Sequence, residues 1–151
     1  MDTIRRVLSY NDVLLVPRNS MLKHITDASL NYFYQYSEGC GGFESVPLVN
    51  APMDSICTPG LLQCLHESFN LPVTIHRWFK TPQEQLQFFD DCNFDNDCDN
   101  VFLAVGALDK WKNWIDHLLT SEQFAENNFG ILVDMANGDT KACLDTVEYL
   151  T

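Results

Sequence analysis

Four short apolar runs, at residues 46–51, 71–75, 101–105 and 130–133, mark the chain from its first third onward. Each is continuous and not alternating, the pattern of strands buried on both faces. Segments with helix signals separate them. Thr58-Pro59 opens the first, with Thr as N-cap and Pro in the first helical position. Thr81-Pro82-Gln83-Glu84 opens the second as a capping box, Thr81 facing Glu84. The third places Leu108, Trp111, Ile115 and Leu118 on one helical face, and for Trp111 and Trp114 core packing and a partner surface both stay open. The fourth starts near Asp139-Thr140, with Ala142, Val147 and Leu150 as its expected apolar side. The order βα, repeated four times, predicts an α/β body over residues 46–151, with parallel strands joined by right-handed crossovers. Residues 1–45 read as an irregular N-terminal extension, in which the apolar run at 13–16 stops at Pro17 and the end is Gly39-Cys40-Gly41-Gly42.

Composition narrows the function classes. The chain has 151 residues, 46% of them hydrophobic and 12% aromatic, enough apolar material for a packed core and too much for disorder. A net charge of −12 argues against nucleic acid or an anionic membrane as partner, since phosphate binding needs clustered Lys and Arg. It leaves room for a mononucleotide. No apolar run is long enough for a membrane helix, and Met1-Asp2-Thr3-Ile4-Arg5-Arg6 has no signal-peptide pattern, so the expectation is a soluble, cytoplasmic chain. The six cysteines (40, 57, 64, 92, 98 and 143) form no C-x-x-C pair and read as reduced, mostly packed thiols, with no metal site. The acidic stretch at 90–100 places Asp95, Asp97 and Asp99 like the start of a calcium loop. Asn100 and Gly106 stand where such a loop needs Gly and Glu, so it reads as a solvated acidic loop.

Four segments, in order, resemble the inosine-monophosphate dehydrogenase / GMP reductase family. Leu8-Ser9-Tyr10-Asn11-Asp12-Val13-Leu14-Leu15-Val16-Pro17 is similar to its N-terminal L-[TS]-[YF]-x-D-V-L-L-x-P signature. The stretch from Val46 to Ser55 resembles the first barrel strand with its A-x-M-D-[TS] end, here Ala51-Pro52-Met53-Asp54-Ser55. Thr74-Ile75-His76-Arg77 resembles the end of the second strand, and Val133-Asp134-Met135-Ala136-Asn137-Gly138 the fourth strand's D-x-A-N-G, the form typical of the reductases. The aromatic stretch Phe33-Tyr34-Gln35-Tyr36-Ser37 and the short junction at 90–100, where dehydrogenases usually insert regulatory domains, also favour the reductase branch. Ala104-Val105-Gly106-Ala107 is closer to the dehydrogenases.

The resemblance implies the first half of a (β/α)8 TIM barrel, whose active site lies at the C-terminal ends of the strands. It implies a purine mononucleotide, GMP or IMP, as substrate, and NADPH or NAD as cofactor in the complete enzyme. By the same resemblance Met53 and Asp54 bind substrate, while Arg77, Asp134, Met135, Ala136, Asn137 and Gly138 meet the dinucleotide. Each position has a plainer alternative: a core methionine, a helix-start carboxylate, an Asn-Gly turn. Arg77 stands where the reductases usually carry Lys, and His76 reads equally as a backbone-bonded strand-end residue. Lys23-His24 replaces a Ser-Arg that in the reductases reaches a neighbouring subunit's cofactor. The family's nucleophile is a cysteine in a G-x-G-S-x-C-x-T loop after the sixth strand, and its phosphate glycines follow the seventh and eighth; this sequence contains neither, nor the monovalent-cation loop, so no catalytic residue is assigned. Ser55-Ile56-Cys57-Thr58 copies the core of that loop in the wrong context, after Met53-Asp54, and Cys57 is expected to be a packed thiol.

The leading reading is therefore the N-terminal half of a GMP reductase-like oxidoreductase, inactive alone. An IMP dehydrogenase-like fragment and a non-catalytic interaction subunit pairing with a family member are the alternatives. Four parallel strands cannot close a barrel, so open edges are expected at 46–51 and 130–133, with inward side chains facing water. Self-association or a complementary C-terminal half follows as the expected partner.

Overall fold

A computed structural model describes residue 16 and residues 21–35, 42–94, 98–127 and 129–151. All of the 8–17 signature except Val16, together with Tyr36, Ser37, Cys40, Asp95 and Asp97, lies outside the described residues.

Three of the four apolar runs form one parallel sheet. β3 (Val73–Ile75), β4 (Val101–Val105) and β5 (Gly130–Val133) stand in the order β3-β4-β5, with Val73 opposite Val101 and Phe102 opposite Gly130. Ahead of them β1 (Tyr32–Gln35) and β2 (Gly42–Ser45) make a separate antiparallel pair within the N-terminal extension. A short 3-10 turn at Ile25–Asp27, closed by the His24 N–H on Asp27 Oδ2 at 3.0 Å, holds the Lys23-His24 position.

The run at 46–51, expected as the first parallel strand, is not a strand. Its backbone closes local turns instead, Leu48 N–H to Val46 O and Met53 N–H to Ala51 O, and Pro47 offers the ladder no donor. What pairs with β3 is a side chain. Thr74 N–H donates to Asn50 Oδ1 at 2.7 Å, Asn50 Nδ2 donates to Thr74 O at 2.9 Å, and the Thr74 hydroxyl donates to Asn50 O at 2.8 Å. The carboxamide reproduces the donor–acceptor pair of a neighbouring strand.

Helices cover one face of the sheet. α1 (Pro59–Gln63) is capped by Thr58 and runs into a π-helical turn, Cys64–Ser68. α2 (Pro82–Asp91) is capped by Thr81, which accepts from the Glu84 N–H; Glu84 reaches back to the Lys80 N–H and not to that of Thr81, a box one residue wider than expected. α3 (Leu108–Leu119) buries Ile115 and Leu118 as its pattern predicts. α4 (Glu122–Asn127) is an element the apolar pattern does not predict, started by Ser121 Oγ accepting from Phe124 N–H. α5 (Lys141–Leu150) begins at Thr140 as expected, and Leu150 packs against the core as expected, but its buried residues are Cys143 and Thr146, while Ala142 and Val147 are exposed. The shift of the buried side has a polar cause: Thr146 Oγ1 accepts the Leu108 N–H at 2.8 Å, capping α3, whose own N-cap Ala107 cannot.

The core lies between sheet and helices, where Val73, Ile75, Val101, Leu103, Val105, Ile115 and Leu118 are wholly buried. Of the described cysteines, Cys57, Cys92, Cys98 and Cys143 are buried and Cys64 is exposed, none of them in a disulfide. In the described part of the acidic segment Asp90 and Asp91 are exposed, as expected of a solvated loop, while Cys92, Cys98 and Asn100 are buried. On the opposite face Thr74, Phe102 and Gly130 form one cross-strand row. Gly130 is required there, because any Cβ would fall 2.5 Å from the Phe102 ring. The β1–β2 pair half-covers this row, with Phe43 stacked on Tyr34 at 4.9 Å and tilted toward Phe102 at 6.4 Å. A cavity of about 390 Å³ remains between them, lined by Tyr34, Phe43, Pro52, Thr74, Phe102 and Leu132.

Candidate functional site

Parallel pairing brings the C-terminal ends of β3, β4 and β5 to one edge of the sheet, and side chains converge there. Arg77, two residues beyond β3, donates from Nε to Oδ2 of Asp134, the residue after β5, at 3.0 Å and across 57 residues of sequence. The Asp134 N–H extends the ladder by donating to Val105 O at 2.8 Å, which fixes the carboxylate over the end of β4. The guanidinium lies 4.5 Å from the Trp78 ring centroid and 5.7 Å from that of Trp111. Trp111 itself packs on Gly106, where a Cβ would stand 2.3 Å from the indole nitrogen. The Arg77 and Asp134 side chains are 22% and 31% exposed, so the pair faces the solvent-accessible mouth. A guanidinium held between indoles beside a carboxylate offers planar donors and a hydroxyl acceptor at one point.

A second layer fixes the strand ends. Gln85, on α2 and fully buried, donates Nε2 to both His76 O and Ala104 O at 3.0 Å and accepts from Trp114 Nε1 at 2.8 Å. It ties β3 to β4 just behind the mouth. Its signal in the sequence is a polar residue in the stripe Gln85–Phe89–Cys92, at i, i+4, i+7 of the buried helix face. His76 accepts the Trp78 N–H on Nδ1 at 3.1 Å and stacks on Phe79 at 4.3 Å, which is the backbone-bonded strand-end role. Burial holds its pKa below the ordinary value, opposed by the charge of Asp54. Asp54 thus lies within electrostatic reach of the residue next to Arg77.

The remaining positions are less gathered. Met53 is 52% exposed and its carbonyl accepts the Ile56 and Cys57 N–H groups in a turn. Met135 is half-buried; Ala136, Asn137 and Gly138 are exposed, and Asn137 Oδ1 accepts the Asp139 N–H as in the plain Asx turn. A Cβ on Gly138 would meet nothing, so no contact within the chain demands glycine there. Cys57 is 3% exposed, with its thiol 3.4 Å from Thr74 O and 3.5 Å from Ala51 O as hydrogen-bond acceptors. Burial pushes its pKa up, against hydrogen bonds from the His76 and Met53 backbone and from Asn50. That is the environment of an inert thiol. Among the described residues no cluster of His, Cys, Asp and Glu has metal-site geometry, and no helix is long and apolar enough to cross a membrane.

No family model matches the chain. It is, however, 28% identical over 134 residues to a GMP reductase of Salmonella arizonae, and 27% identical over the same length to GMP reductases of Klebsiella pneumoniae and Shigella flexneri. Each match covers 87% of this chain and 36% of the relative, so the chain spans about a third of the length of the curated relatives it matches. This distant homology supports kinship with the GMP reductase / IMP dehydrogenase family.

Proposed function

We propose that the chain is the N-terminal barrel half of a GMP reductase-like oxidoreductase, which in its complete form converts GMP to IMP and ammonia with NADPH. The observation that carries the reading is the Arg77–Asp134 pair. Two residues singled out by family resemblance, far apart in sequence, meet at the C-terminal edge of a parallel sheet, where barrels of this kind hold their ligands.

The donor set fits a dinucleotide's ribose and carboxamide: the Arg77 guanidinium, the Asp134 carboxylate and the Asn137 amide are hydrogen-bonding groups of the right kind at that edge. NADPH, when bound, supplies a hydride. Asp134 orients ribose hydroxyls, Arg77 keeps the carboxylate in place, and Met53 with Asp54 lies against the purine. Gln85 holds the strand ends that carry these groups. The chain by itself turns nothing over, because Cys57 is buried, protonated and hydrogen-bonded to carbonyls.

The test mixes this chain with the C-terminal remainder of the Salmonella arizonae GMP reductase and follows NADPH oxidation with GMP. Activity should appear in the mixture and in neither part, and Asp134→Ala should raise the KM for NADPH roughly 10–150-fold, the value of a charge-assisted hydrogen bond. Turnover by the isolated chain, abolished by Cys57→Ala, would overturn the assignment of Cys57. An inactive mixture in which this chain also fails to bind GMP and NADPH would overturn the functional reading.

A further inference from the structure

We propose that Trp78 is the platform on which the adenine ring of NADPH stacks, an inference that rests on the oxidoreductase reading and adds a residue to it. The chain has three tryptophans. Trp111 and Trp114 pack against the core, and Trp114 Nε1 donates to Gln85. Trp78 is instead 62% exposed. Its one ring partner among the described residues is the Arg77 guanidinium, with Cζ 4.5 Å from the centroid. One face of the indole is thus occupied and the other is open.

The loop between β3 and α2 holds this ring at the mouth. The Trp78 N–H donates to His76 Nδ1 at 3.1 Å, and the Lys80 N–H donates to Glu84 Oε2 at 2.9 Å, so both ends of the loop are tied. Phe79 stacks on His76 at 4.3 Å and packs against the core, which leaves Trp78 as the outward residue. A large ring with two side-chain torsions, already leaning on a fixed neighbour, loses little freedom when a ligand covers it.

The occupant follows from the order of the chemistries. Asp134, Arg77 and Trp78 form a chain of contacts, in which the guanidinium touches the carboxylate through Nε at 3.0 Å and the indole through its flat face. Nη1 and Nη2 of Arg77 have no hydrogen-bond partner among the described residues. A hydroxyl acceptor, free cationic donors and an open aromatic face therefore follow one another. A dinucleotide presents the matching groups in the same order: ribose hydroxyls, pyrophosphate oxygens and, beyond the second ribose, adenine. A mononucleotide does not, because its ribose lies between phosphate and base. With the nicotinamide ribose on Asp134, Arg77 Nη1 and Nη2 donate to the pyrophosphate, and the adenine covers the indole face turned from the guanidinium.

Equilibrium binding to the full chain tests this with three probes. They are NADPH, 2′-phospho-ADP-ribose, which keeps the adenine without the nicotinamide, and reduced nicotinamide mononucleotide, which lacks the adenosine. Trp78→Ala, at an exposed position that the fold tolerates, should weaken the two adenine-bearing probes roughly 5–150-fold, the effect of losing one base–aromatic stack. The mononucleotide should bind as before. Trp78→Phe keeps a ring and should recover most of the loss. NADPH binding indifferent to Trp78→Ala would overturn the proposal and leave the oxidoreductase reading standing. Equal weakening of the mononucleotide would do the same, since the indole would then only prop Arg77 against Asp134. An unaltered chain that binds none of the three probes would also overturn it, and would overturn the oxidoreductase reading as well only if GMP fails to bind and the mixture with a complementary half is inactive.

Discussion

The two faces of the parallel sheet are built from the same short strands and have opposite fates. On the helix side Val73, Ile75, Val101, Leu103 and Val105 are fully excluded from water, closed over by α2 and α3. On the other side Thr74, Phe102 and Leu132 look onto a cavity of about 390 Å³ that the β1–β2 pair covers only in part. Continuous apolar runs announce burial on both faces, yet here the helix side is sealed over β3 and β4, while the other side, though Thr74 and Ala104 are buried in it, still borders an unfilled cavity. Local sequence sets the capacity for burial, and the elements that arrive from elsewhere decide whether it is used.

Truncations on the two faces should separate them most widely. Leu103→Ala on the helix side is expected to cost about 2–5 kcal/mol, the range for a fully buried leucine. Phe43→Ala, on the half-covered side, should cost only about 1.5 kcal/mol, because much of the ring's area is already wet. Urea denaturation of both variants measures the difference, and equal losses would mean that the hairpin seals the inner face as tightly as the helices seal theirs.

Gln85→Ala sharpens the contrast within the dry side. Its loss leaves His76 O, Ala104 O and Trp114 Nε1 without their buried partner, and the cost is expected near 3 kcal/mol. In the mixture with a complementary half it should also raise the KM for NADPH, since the strand ends bearing Arg77 and Asp134 lose their tie. A stability change below about 0.5 kcal/mol would show that water replaces the amide and that the mouth does not depend on it.

The smallest effect is the pH dependence, which arises from groups on the dry side. His76 has its pKa lowered by burial, so below its ordinary value of 6.5 the unfolded chain takes up a proton that the folded chain refuses, and stability falls with pH. Burial raises the thiols of Cys57 and Cys92, the latter to about 12. Above their ordinary value of 9.0 the unfolded chain releases protons that the folded chain keeps, so stability falls again as pH rises. Denaturation midpoints should therefore form a plateau between these values. His76→Gln should flatten the acid limb and Cys92→Ala the alkaline one; an acid limb unchanged by His76→Gln would place that titration elsewhere.

Helix starts were the most legible part of the fold. Thr58, Thr81 and Thr140 cap the helices they announce, because a cap is a contact between residues three apart. The strands at 101–105 and 130–133 were equally readable from their apolar runs, and 71–75 nearly so. The run at 46–51 was not, since whether an apolar segment becomes a strand depends on a partner's free N–H and C=O groups. There the Asn50 side chain reaches Thr74 first. Ala142 and Val147 of α5 face outward for a related reason, while Leu150 packs inward as expected: a threonine is drawn inward to cap another helix.

By itself the sequence determined the alternation of buried strands and capped helices, the acidic surface and the residues available at strand ends, all of which follow from spacing and local chemistry. Tertiary structure alone decided that Arg77 meets Asp134, that Gln85 ties β3 to β4, and that the Asn50 side chain pairs with Thr74 in place of a neighbouring strand. Those outcomes join residues tens of positions apart. Their geometry is set by parallel pairing and by competition for hydrogen-bond partners, which no local pattern encodes.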